Sequence, residues 1–334
     1  METRADIAAF LQRPRGLRLF LSVDVSGSTA YKTRRQNLEN FHEHWARFYE
    51  AFFEDFPQLF QSSREKAAQE AKCALVEPQF WKCLGDELIY TALVSDGAEL
   101  YALVSAFYRT AFEYDKEVSK KWGLRLKATG WTAGFPLRNS AIPSRATDGA
   151  QSVGGQEFVD FIGPDIDIGF RITRASRPGR MVVSMDLAEL LAQNTEPDSF
   201  SFYHVGWEVF RGVFNDHPYP IIWICEKERP AILPWEDFTC SFTKNFKEGR
   251  AIGAKELREL LKEIRAAHPD LKLFVPYFDE KDMPDFQKQL LRKWKEEAEK
   301  QPSLDLGEAA EMKRPASSKK KASERVAKKQ PKRT

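Results

Sequence analysis

The stretch Leu17–Thr29, LRLFLSVDVSGST, constrains the fold of this chain more than any other. It opens as an apolar run of Leu, Phe and Val that reads as a strand. It sets one carboxylate, Asp24, at the end of that run, then turns through Ser26, Gly27, Ser28 and Thr29 into a long helical pattern. A helix N-terminus offers unpaired backbone N–H groups and a positive dipole end. The acid offers hard oxygens of the kind Mg²⁺ takes. Strand, acid, small-residue turn and helix together make a place for a cation and a phosphate.

The rest of the chain reads as what completes that place. Residues 1–16 are a short arm or helix. The first strand spans about Leu17–Val25, and the long helix runs from about Thr29 to Phe56. Phe41, Trp45, Phe48, Phe52 and Phe56 recur along it at three- and four-residue steps, which makes that face core. Gln58–Gln79 is polar and reads as a surface insertion. Phe80–Tyr90 reads as a hairpin around a tight Gly85-Asp86 turn. Gly97–Trp122 is a second long helix, Leu124–Phe135 a strand, and Arg138–Gln156 a loop. Phe158–Gly169 leads into a helix at Phe170–Ala175. Met181–Val183 is a short strand, with Ser184 as N-cap of a helix over Met185–Gln193. His204–Phe210 and Tyr219–Cys225 form a final antiparallel pair. The order of elements predicts an α+β fold on a ferredoxin-like βαββαβ core.

Past Pro230 two amphipathic helices, Ala254–Ala267 and Pro284–Glu299, predict a packed C-terminal extension. Residues 301–334 have almost nothing to bury and predict a disordered basic tail. The predicted organisation is therefore an arm over 1–16, a core domain over 17–230, an extension over 231–300 and the tail. From Lys313 onward ten basic residues face one acid, so the overall charge of +2 hides an acidic body, which does not argue for nucleic-acid binding. Cys73, Cys83, Cys225 and Cys240 show neither CxxC pairing nor zinc spacing and read as thiols of a reducing compartment. No targeting pattern opens the chain and no apolar run approaches a membrane span, so a cytoplasmic protein without membrane attachment is predicted.

A second carboxylate, Asp86, sits in the hairpin turn, which in a βαββ arrangement lies beside the end of the first strand. Two acids brought together there repel unless a cation sits between them. The string from Asp160 to Arg171, DFIGPDIDIGFR, is no EF-hand, since it lacks the third acid, the central Gly and the closing Glu. With the helix beginning at Phe170, Arg171 would fall in its first turn, a position that suggests it faces an anion. His42-Glu43-His44 is not a metal pair on a helix, because residues two apart point to different faces. Gly154-Gly155 lacks the strand-to-helix context of a phosphate loop. Trp81 and Trp131, in β runs, read as core.

VDVSGST, KCLGDE, ATGWTAG and DFIGPDIDIGFR, in this order and at these separations, resemble the catalytic domain of class III nucleotide cyclases over about Leu17–Cys225. The resemblance implies two divalent ions, Mg²⁺ or Mn²⁺, held at Asp24, Val25 and Asp86. It implies phosphate contacts from Ser26, Gly27, Ser28 and Thr29, and base contacts from Lys82 and Asp160. A ribose-orienting role falls on Asp167, a transition-state role on Arg171 and a triphosphate contact on Arg211. The family has Asn at the position of Asp167; an Asp accepts a hydrogen bond but cannot donate one, which keeps a catalytically silent homologue open. The phrase FIGPDIDIGFR and the insertion after the first helix resemble the bacterial anti-phage pyrimidine cyclases called Pycsar, implying UTP or CTP as substrate and a separate cyclic-nucleotide-responsive effector. The Lys82 and Asp160 pair instead matches adenylate cyclases. A diguanylate-cyclase-like site would need a GGDEF turn where this chain has LGDEL. The family builds each site from two protomers, so a homodimer is implied.

Overall fold

β1 (Gly16–Ser26) buries Leu17, Leu19, Leu21 and Val23 on one face and Phe20 and Ser22 on the other. A strand covered on both sides belongs at the centre of a sheet. It pairs antiparallel with β3 (Glu87–Val94) on one side and β4 (Arg125–Phe135) on the other, and β2 (Gln79–Leu84) joins β3 through the Gly85-Asp86 turn. In the computed structural model the described residues are 16–33, 41–71, 74–144, 158–193, 200–226, 251–271 and 273–300. The N-terminal arm up to residue 15, Cys73, Cys240, Gly154-Gly155, the tail from 301 and the side chains of His42 and His44 lie outside them.

The spatial order β4-β1-β3-β2 is the ferredoxin-like arrangement that the sequence predicts. Between β1 and β2 lie α1 (Ser28–Thr33) and α2 (Phe41–Ala71); between β3 and β4 lies α3 (Gly97–Trp122). Asp96 caps α3 by accepting from the Glu99 N–H, and Gly123 ends it at φ +65°, a conformation that suits a residue without Cβ. Beyond β4 the sheet continues. β7 (Met181–Val183) runs parallel to β4, followed by β9 (Pro218–Cys225), β8 (Ser201–Val209) and a two-residue β10 (Ala251–Ile252), eight strands in all among the described residues. A separate ribbon pairs β5 (Ser140–Ser144) with β6 (Phe158–Ile162).

The sheet has a core on each face. Under α2 and α3, Phe48, Phe52, Phe56, Leu103 and Phe107 are fully buried. On the opposite face Phe20 stacks on Trp131 at 5.3 Å, and Trp81, Phe161 and Ile166 close around them. That second face is covered by the ribbon and by α4 (Pro164–Ile172). α5 (Met185–Leu191) starts at the Ser184 cap, and α6 (Ala254–Ala267) buries Leu257 and Leu261. α7 (Asp285–Lys300) follows; the first compact unit ends within it at Arg292, and of the second, from Lys293, the structure describes only the closing turns of this helix. Among the described residues no helix is long and apolar enough to cross a membrane.

Three expectations need correction. The helix expected to end at Phe56 runs to Ala71, through Pro57 and the stretch read as an insertion. Ala, Glu, Gln and Lys are strong helix formers, and Phe60 and Ala67 prolong the buried stripe. The 138–156 loop contains a strand, β5, whose partner β6 lies far along the chain. The helix expected over Phe170–Ala175 instead begins at Pro164, a residue suited to a first turn, and ends at Ile172, with a 3₁₀ turn over Thr173–Ala175. Arg171 therefore sits in the last turn of α4, where the dipole favours a cation, and the first-turn argument for an anion facing it falls.

Candidate active site

β1 carries Asp24 to its end, where the register sets it directly opposite Glu87 of β3 and Lys127 of β4. Residues opposite one another across strands share a face and touch. The Lys127 ammonium lies 2.7 Å from the Asp24 carboxylate, and Glu87 accepts a hydrogen bond from the Ser22 hydroxyl. Burial pushes the Asp24 carboxyl above its ordinary range and Asp86 adds to this, while Lys127 and the Val25 N–H hold it down. Glu87 is also pushed up, by burial first and then by Asp24 and Asp86, against Ser22 and Lys127. Asp24 and Glu87 thus feel each other's charge and that of Asp86, although Asp24 and the Asp86-Glu87 pair come from two separate places in the chain.

Beyond Asp24, Ser26 closes the strand and Gly27 turns at φ +84°, a left-handed backbone that favours glycine. Ser28 and Thr29 open α1, and the Tyr31 N–H returns to the Gly27 carbonyl at 3.0 Å. Lys32 lies 4.8 Å from the centre of the Tyr49 ring. Its pKa is raised by a hydrogen bond to the Tyr49 oxygen and by the charge of Asp86.

The hairpin that carries Asp86 also carries Lys82. A bulge between Phe80 and Lys82 shifts the register there and re-aims the side chain. Lys82 lies 2.6 Å from Asp160 of β6 and 4.0 Å from the centre of the Trp81 ring. Trp81 itself is buried and donates to the Val159 carbonyl at 3.0 Å, so it is core; Trp131 is fully buried too. On α4, Asp167 is exposed in the first turn, and Arg171 donates to the Arg211 carbonyl at 3.0 Å. Among the described residues no hydrogen bond or ion pair links Asp24 or Asp86 to Asp160, Asp167 or Arg171.

α4 is pinned from below by residues that the sequence did not single out for this purpose. Asp165, buried at its start, meets Arg138 at 2.8 Å. Asn139 donates to Asp165 at 2.7 Å and to the Gly134 carbonyl at 2.9 Å, and accepts from the Asp165 N–H at 3.2 Å. Lys127, Glu87, Lys32 and Tyr49 also escaped sequence reasoning. Lys127 and Glu87 carry no local signal of their own, and only the register brings them to Asp24.

No protein-family model and no curated protein sequence matches this chain. Several solved structures do resemble it. An adenylyl cyclase from P. aeruginosa aligns at 14% identity and TM-score 0.43, over 64% of this chain and 96% of that one. The structures this chain resembles are nucleotide cyclase domains. A guanylate cyclase domain from Catenaria anguillulae, solved in complex with GTP, aligns at 9% identity and TM-score 0.41, over 64% of this chain and 97% of that one. An adenylate/guanylate cyclase/hydrolase from Silicibacter pomeroyi aligns at 13% identity and TM-score 0.38, over 63% and 97%.

Chemically, the acid cluster suits a hard dication. Three carboxylates, Asp24, Asp86 and Glu87, lie within electrostatic reach of two ammonium groups, Lys127 and Lys32, so negative charge remains for a metal to neutralise. Yet among the described residues no three His, Cys, Asp or Glu side chains converge tightly enough to hold an ion by themselves. An ion held by Asp24 and Asp86 would take further oxygens from elsewhere, and Mg²⁺ commonly takes them from substrate phosphates.

Proposed function

We propose that this chain is a class III nucleotide cyclase, converting a nucleoside triphosphate into a 3′,5′-cyclic nucleotide and pyrophosphate. The observation that carries the proposal is the register that sets Asp24, at the end of β1, opposite Glu87, the residue that follows Asp86 out of the hairpin turn; the resemblance assigns Asp24 and Asp86 to the metal ions. The ion pair of Lys82 with Asp160, the second pairing drawn from the motifs, supports it independently.

In the reaction, O3′ of the ribose attacks the α-phosphorus. The O3′–P bond forms, the bond to the bridging oxygen of pyrophosphate breaks, and the O3′ proton leaves to solvent. Asp24, Asp86 and the Val25 carbonyl would hold the divalent ions. Such ions lower the pKa of the attacking hydroxyl and offset charge on the leaving phosphates. The Ser26–Thr29 turn offers hydroxyls and N–H groups to phosphate oxygens. Lys82 donates to the base and Asp160 accepts from it. Asp167 accepts from a ribose hydroxyl, Arg171 meets charge growing on the α-phosphate, and Arg211 contacts the triphosphate. The metal acids come from one protomer, and the base contacts Lys82 and Asp160, with Asp167 and Arg171, from its partner in a homodimer.

The substrate we favour is a pyrimidine triphosphate, UTP ahead of CTP. Uracil offers O4 to Lys82 and N3–H to Asp160, and the FIGPDIDIGFR phrase resembles the anti-phage pyrimidine cyclases. The cyclic product would then act as a second messenger read by a separate effector in phage defence. One feature favours adenine instead: N1 and the N6 amino group offer the same pair an acceptor and a donor.

The test is incubation of the purified chain with ATP, GTP, CTP or UTP and Mn²⁺, with products resolved by mass spectrometry. Cyclic UMP or cyclic CMP is expected, reduced by about 10³-fold or more in the Asp24→Ala, Asp86→Ala double variant. Cyclic AMP alone would keep the cyclase and discard the pyrimidine. No product from any nucleotide would overturn both.

A further inference from the structure

Lys127 is a foreign cation in an acid site. The β-register fixes it opposite Asp24, and its ammonium lies 2.7 Å from the carboxylate. Both side chains are about three-quarters buried, with 25% and 24% exposure, so solvent and salt screen the pair only in part. Leu126 and Ala128, on either side of Lys127 along β4, are fully buried, so the backbone that carries it is anchored. A dication on Asp24 would stand within a few ångströms of this ammonium, and like charges at that range oppose each other. The ammonium then needs a new anion. The chain offers Glu87 nearby, but that carboxylate already accepts from Ser22. A triphosphate brings several anionic oxygens to the same side of the sheet.

We infer that Lys127 is a resident counter-cation which keeps divalent metal off Asp24 until a nucleoside triphosphate arrives to take over its ammonium. The inference rests on the cyclase reading of the site. It makes metal and nucleotide binding interdependent: each tightens the other by the same factor, as linkage requires. A free divalent ion then does not dwell in the site, and metal is loaded together with substrate. Lys127 is in this sense a positioning and gating residue rather than one that reacts.

The experiment is a calorimetric titration of the full chain with Mn²⁺, alone and with an α,β-methylene nucleoside triphosphate whose α-phosphate cannot be cleaved from the rest. In the native chain Mn²⁺ alone binds weakly and the analogue tightens it. In Lys127→Met, which keeps the unbranched stem, Mn²⁺ alone binds about tenfold tighter or more, and the enhancement by the analogue shrinks by the same factor. Lys127→Arg, which keeps the charge, behaves like the native chain. Unchanged Mn²⁺ affinity in both Lys127→Met and a second neutral variant, Lys127→Gln, overturns the inference while leaving a cyclising enzyme intact. Absence of Mn²⁺ binding to every form, with the analogue present, overturns the cyclase reading and this inference together.

Discussion

Asp165 shows how much of the molecule hangs on single buried charges. Burial pushes its carboxyl up to about 6, with Asp186 adding and Arg138 opposing. The folded value lies above the unfolded 3.8, so the stability linked to this group is present below that pH and is lost as pH rises through about 6. Arg138 limits the loss. Arg138→Met leaves a buried carboxylate without its cation and is expected to cost about 3–5 kcal/mol near pH 8. The deficit narrows on acidification, as Asp165 takes up a proton. Thermal melts at about pH 8 and about pH 5 check this; the narrowing disappears in Arg138→Met, Asp165→Asn if Asp165 is its source. A deficit that does not change with pH in the single variant would assign the damage to lost packing instead. Asp24 and Asp86 were legible because an apolar run ending in an acid, and a Gly-Asp turn, are local patterns. Lys127 was not, because strand register is a property of two segments about a hundred positions apart.

At the scale of elements, α4 lies on the sheet through one glycine. A Cβ on Gly169 would come within 2.4 Å of Trp131 ring atoms, and that ring is held between Phe20 at 5.3 Å and Phe170 at 5.7 Å. Gly169→Ala is therefore expected to push α4 outward and to destabilise the fold by about 1–3 kcal/mol, despite the better helix propensity of Ala. Since α4 carries Asp167 and Arg171, activity should fall by more than the unfolded fraction explains; denaturant melts beside a rate measurement separate the two. The sequence announced Trp131 as core and Arg171 as functional. It misjudged where their connecting helix starts, because Gly163-Pro164 opens a helix here, whereas the apolar string on either side of it reads equally well as extended chain. The same limit hid β5 and β10, short strands defined by distant partners, and the run of α2 past Pro57, where favourable composition and a continuing buried face outweigh one missing N–H.

At the scale of the whole molecule, among the described residues, no hydrogen bond or ion pair joins the two halves of the candidate site. Asp24 pairs with Lys127, and Arg171 donates to the Arg211 carbonyl. If each complete site takes its acids from one protomer and its arginine from the partner, the two kinds of variant must complement. Asp24→Ala alone and Arg171→Ala alone each leave a homodimer with no intact site. After mixing equal amounts and allowing subunit exchange, half of the dimers are mixed, and each of these holds one doubly damaged site and one intact site. The expected recovery is about one quarter of the native rate. A double variant carrying both substitutions on one chain, mixed with either single variant, should recover nothing. Sites complete within one chain would give no recovery in the first mixture either, and would leave α4 to close on Asp24 by a rearrangement within the protomer. Comparing the two mixtures at equal total protein therefore decides whether this fold works as a pair.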